Sequence, residues 1–278
     1  MQLIQKYWNK LLIVIVSIIF IIGSFFVTFD KEGQHITKNS LEEAIVVFGV
    51  AKGLNAAISL AQGTEISPPG LTITVGEVLD PINDLIEQFS WIMLASITSL
   101  GLQKILFNVV TGYEYNIILT AFIVLINVWL FLRFKNDTKI RNIFFKITII
   151  MIFLRFSIPM MSIANHYIYE NYVKSEYNIE LTKKDIQESS TKISDITNNT
   201  IEEKNDTSFL ENIYKNTVEI FSVQYYKNKL NQYKEATEKT SDSIINLIIA
   251  FVFKTIFFPI VFLFFLYQLL RNVYNVGK

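Results

Sequence analysis

At 278 residues the chain has room for one large unit or two modest ones, and its apolar share of 51% with mean hydropathy +0.36 exceeds an ordinary soluble balance. Formal net charge is zero, so no global basic surface points to nucleic acid. The absence of cysteine excludes disulfide frameworks, thiolate metal sites and cysteine nucleophiles, and His35 and His166 form no HxxxH or HExxH spacing.

Residues 1–29 open with Lys6, Trp8 and Lys10 and then run uncharged from 11 to 29. About 20 helical residues match the roughly 30 Å hydrocarbon core, so this run is expected to span a membrane. It is too long for a signal-peptide core and lacks an A-x-A exit, which favours an uncleaved anchor.

Residues 30–114 are too apolar for a loop and too interrupted for two clear spans. Ser40-Leu41-Glu42-Glu43 reads as a capping box that starts a helix over 41–62. Gly49, Gly53, Ala57 and Ala61 recur every fourth residue, a small-residue ridge that lets a second helix approach closely. Pro68-Pro69-Gly70 predicts a rigid turn and 71–75 a short strand. Asp80-Pro81 reads as the N-cap and first residue of a second helix carrying Ala95 and Ser99. Were these helices spans, residues 63–88 would form an inner loop with five acids and no lysine or arginine, against the positive-inside rule. The pair is therefore expected in the outer compartment or its membrane interface.

Residues 115–164 hold two spans, 115–134 and 147–164, around a connector with Arg133, Lys135, Lys139, Arg141 and Lys146 against Asp137 alone. That connector predicts an inner loop. Residues 165–242 contain ten basic and fourteen acidic residues without proline or glycine. Ile179, Ile186 and Ile193 repeat every seven positions, and Phe209, Ile213, Ile220, Phe221 and Leu230 supply a second apolar face, which together predict a long outer helical hairpin. Residues 243–278 return through a fourth span, 243–270, to a tail with Arg271 and Lys278.

The expected fold is thus an all-α integral membrane protein with about four transmembrane helices, an outer helix pair and an outer hairpin, both termini being cytoplasmic. Richness in Ile, Lys, Asn and Phe suggests a bacterial inner membrane facing a periplasm. The plan resembles that of tetraspan junction and large-pore channel proteins, whose extracellular cysteines are absent here.

Arg155 and Lys254 are the sharpest site candidates, because a charge inside a span is costly and marks a path, a headgroup site or a partner. Each precedes a proline, Pro159 or Pro259, that frees backbone carbonyls. The four spans contain no Asp or Glu to pair with them. Tyr167, Tyr169 and Tyr172 read as an interfacial belt. No GxSxG or GxxxxGK[ST] motif occurs, and Asp80 with Asp84 is accounted for by a helix start. The expectation is a non-enzymatic envelope scaffold, assembly or sensing component acting through its hairpin, without cofactor or metal. Its expected partners are the lipid bilayer and either copies of itself or other envelope proteins. The alternative is an oligomeric channel or pore with a cationic pathway through Arg155 or Lys254.

Overall fold

The computed structural model describes residues 2–63, 75–132, 138–205 and 223–275. Every regular element among them is helical: α1 (Gln2–Ser24), α2 (Val27–Gln62), α3 (Val75–Thr111), α4 (Tyr113–Leu132), α5 (Thr138–Ile168), a π-helical turn π1 (Tyr169–Val173), α6 (Ile179–Asn205), α7 (Val223–Val252), a second π turn π2 (Phe253–Phe257) and α8 (Phe258–Asn275). The expected Pro-Pro-Gly turn, most of the expected short strand and the apolar face from Phe209 to Phe221 lie outside the described residues. Val75, the last residue of that strand expectation, instead opens α3.

Among the described residues, four helical stretches are long and apolar enough to cross a membrane: Thr28–Gln62, Val75–Thr111, Asn142–Val173 and Lys227–Gln268. The third contains the expected span 147–164, and the fourth covers all but the last two residues of the expected span 243–270. The first two fall almost entirely in the region 30–114 assigned to the outer pair, while the expected first and second spans overlap the shorter apolar helices Lys10–Ser24 and Tyr113–Trp129. The uncharged run 11–29 is divided, since Phe25 and Phe26 donate to the carbonyls of Ile22 and Gly23 in a closing turn and α2 starts at Val27.

Both expected helix starts are displaced upstream. Ser40 is a buried residue inside α2 and caps nothing, because Gly33, Thr37, Ser40, Ala44, Val47, Ala51, Leu54, Ile58 and Ala61 form one continuous buried stripe at alternating spacings of three and four. Pro81 lies inside α3. Its missing amide costs about 3 kcal/mol in a helix interior, and burial of Val75 and Leu79 ahead of it, at about 1.5–3 kcal/mol each, offsets that. The α3 stripe continues through Ile82, Ile86, Phe89, Met93, Ser96 and Leu100.

The chain divides into two compact units. The first comprises residues 1–41, 99–168 and 258–278. In it α1 packs on α4 and α5, and α5 packs on α4 and α8. Phe107, Val110 and Ile158 form one buried cluster in it, with Tyr115 against them. Its outside is strongly apolar, with Ile19, Ile22, Leu125, Val128, Phe264 and Phe265 all exposed. A surface of that kind needs lipid or another chain to cover it.

The second unit comprises residues 42–98 and 169–257. Gln62 on α2 bonds Asp80 on α3 at 2.9 Å. α6 and α7 pack together in antiparallel register, fixed by the Asp185–Lys239 pair at 3.0 Å and the Thr197–Tyr233 hydroxyl contact at 3.0 Å. Ile179, Ile186 and Ile193 are all buried on the α6 face, as their seven-residue repeat requires. Between them lie buried Thr182 and Ser189, so this seam is less apolar than an ordinary coiled coil.

Candidate functional site

In the first unit, Arg155 on α5 is 1% exposed and sits where three chain segments end or begin. The last turn of α1 leaves carbonyls without helical partners, and Arg155 Nη2 donates to one of them, Ser24 O. Asp30 occupies the first turn of α2, where the helix dipole favours an acid. Its carboxylate takes Nη1 at 2.8 Å and Nη2 at 2.5 Å. Asn116, in the first turn of α4, accepts Nε at 2.8 Å. The planar guanidinium fork suits this two-pronged geometry, and one side chain ties the ends of α1, α2 and α4 to α5.

Close approach beside this node depends on Gly33. A Cβ built there would stand 2.8 Å from Phe107 Cε2. On the same face Thr37 and Ser162 share a hydroxyl contact at 2.8 Å, and Ser162 donates to Gly33 O at 3.0 Å. Small and hydroxyl residues thus bring α2 onto α5.

In the second unit, Lys254 lies in π2 and is 6% exposed. Its ammonium donates to Glu43 Oε2 at 2.7 Å and stands 4.7 Å from the centre of the Tyr169 ring, the first residue of π1. Carboxylate and aromatic face together stabilise the buried cation. Pro259 cannot donate to Thr255 O, which accounts locally for the widened turn of π2. The Thr255 hydroxyl donates to Phe251 O at 2.7 Å and shares a hydroxyl contact with Ser96 at 2.9 Å. Tyr169 is held in turn by its hydroxyl, which accepts from Ile179 N and donates to Tyr177 O, each at 3.3 Å.

The two candidate cations therefore each have an acid partner, supplied by α2. Sequence reading missed both acids because Asp30 falls just past the first expected span and Glu43 had been assigned to a capping box. Tyr169 is buried, in contrast to exposed Tyr167 and Tyr172, so the three do not form one belt.

The small-residue candidates separate. Ala57 and Ala61 are buried, whereas Gly49 and Gly53 face open space, with nothing within 4 Å of a built Cβ. Ala95 is exposed, and Ser99 is half-buried and accepts from Gln103 at 3.2 Å. The α3 stripe passes beside this last pair through Ser96 and Leu100.

Among the described residues no three His, Asp or Glu side chains gather as a metal set. Neither ion-pair node contains a nucleophile with a base. What these arrangements do chemically is fix helices to one another in apolar surroundings. Compared with known protein families, curated proteins and solved structures, the chain matches none of them.

Proposed function

We propose that the protein is a non-enzymatic multi-pass membrane scaffold, with its termini on the inner side and the α6–α7 pair engaging another component on the outer side. The reading draws its orientation from the sorting of charge: nine basic residues against Asp137 alone in the proposed inner segments. The observation that carries the scaffold role is the pairing of Arg155 with Asp30 and of Lys254 with Glu43. Charges neutralised by internal carboxylates act as fasteners between helices. That arrangement favours a scaffold over an oligomeric pore with a cationic pathway.

The open Gly49–Gly53 face, flanked by exposed Ile45, Val46 and Leu60, is the surface of α2 available for assembly. In a bacterial cell the setting is the inner membrane, and the partners are copies of this chain or other envelope proteins. The test is deletion of residues 172–238 in the full-length membrane protein, followed by crosslinking in cells. Insertion with loss of crosslinked partners supports the reading. An unchanged set of partners rejects it.

A further inference from the structure

We infer that the occupant of the groove along α6 and α7 is the same groove of a second copy of this chain, giving a symmetric four-helix bundle. The inference rests on the reading that the α6–α7 pair engages a partner, and it names that partner. The groove encloses about 510 Å³ and is lined by Lys192, Asp195 and Ile196 from α6 and by Glu235 and Ala236 from α7, among others. Ile196 and Ala236 are half-buried along it, whereas Lys192, Asp195 and Glu235 are exposed and make no ion pair among the described residues.

Charge placement selects the occupant. The contacts Asp185–Lys239 and Thr197–Tyr233 pair twelve residues of α6 with six of α7, and the mean of the two registers places Lys192 within about one helical turn of the level of Glu235. Two copies in one membrane point their α6–α7 pairs the same way, so their two-fold axis runs along the helices. Groove against groove about that axis, α6 of one copy faces α7 of the other and keeps the same level. Lys192 of each copy then meets Glu235 of its partner, and symmetry forms the pair twice. The half-buried Ile196 and Ala236 become core positions, adding apolar area to a seam that contains Thr182 and Ser189. Antiparallel neighbours around a shared core are the ordinary four-helix arrangement.

Because the chain has no cysteine, introduced thiols report without background. Two differently tagged full-length chains, one Lys192→Cys and the other Glu235→Cys, are co-expressed and oxidised in membranes. The expected result is a mixed disulfide dimer that exceeds the yield from Gln187→Cys, on the exposed far face of α6, paired with the same Glu235→Cys chain. Charge reversal gives an independent measurement on the purified protein in detergent. Lys192→Glu replaces two attractive pairs by two repulsive ones and should weaken dimerisation about tenfold, with recovery in Lys192→Glu/Glu235→Lys. Mixed dimers no more abundant than the Gln187 control, or crosslinks only to a chain of different mass, overturn the inference. If deletion of 172–238 still abolishes partner recovery in that case, the second copy is rejected while the scaffold reading stands.

Discussion

Arg155 and Asp30 stand 125 positions apart and close a two-pronged ion pair in which the guanidinium is 1% exposed. Removing one member of such a pair leaves a buried charge, whereas removing both leaves a smaller defect. Asp30→Ala should therefore destabilise the purified protein by about 3–5 kcal/mol, and Asp30→Ala/Arg155→Met should lose less than the single variant. Unfolding in detergent, followed by circular dichroism, checks the order. A double variant weaker than Asp30→Ala would show that the pair is not what holds these helix ends.

The second ion pair predicts an asymmetry. Lys254 is 6% exposed and the Glu43 side chain 25%, so an orphaned Glu43 reaches water more readily than an orphaned Lys254. Glu43→Gln should cost about 2–3 kcal/mol and Lys254→Met about 1 kcal/mol. Tyr169→Phe keeps the ring over the ammonium and loses only the two hydroxyl contacts, for about 1 kcal/mol. Thermal unfolding of the three variants ranks them. Equal losses from Glu43→Gln and Lys254→Met would contradict the burial difference as their cause.

Glycine substitutions separate packing from open surface. Gly33→Ala drives its methyl into Phe107, itself 1% exposed, and should cost about 1–3 kcal/mol. Gly49→Ala meets nothing within 4 Å and should raise the stability of an isolated protomer by about 0.5–1 kcal/mol through better helix propensity. Parallel unfolding curves for the two variants test this. A loss at Gly49 that depends on protein concentration would mean that the face is covered by another copy.

A surface charge pair provides a control for pH. Lys183, 2.8 Å from the Glu180 carboxylate, donates to it and holds its pKa below the usual value. A lowered carboxyl contributes stability above its unfolded pKa and loses it as pH falls through the folded one. Both the loss on acidification and the effect of Lys183→Ala should be small, since Glu180 is exposed and screened. Chemical denaturation between neutral and mildly acidic pH measures it, and a large Lys183→Ala effect would contradict solvent screening.

Much of the helical plan was legible from period alone. Ile179, Ile186 and Ile193 announced the α6 seam because burial follows helical repeat, and the long apolar runs pointed to α4, α5 and α8. Helix starts were not legible. Ser40 and Asp80 have strong capping chemistry, yet each lies within a helix whose apolar stripe continues upstream and outweighs the local signal. The small-residue pattern was visible, but its direction was not: Gly49 looks outward while Gly33, outside the four-residue repeat, makes the close contact. The pairing of Arg155 with Asp30 depends on tertiary proximity across the chain, and no spacing within one sequence encodes it.

The scaffold account depends on which side of the bilayer the α6–α7 pair occupies, and labelling in intact cells tests this most directly. Single cysteines in place of Asp137 and Asn205 are exposed to a membrane-impermeant maleimide, with the outer envelope made permeable where one is present. The account predicts label at position 205 and protection at 137 until the inner membrane is opened. Label at 137 in sealed cells, or protection at 205, would contradict it.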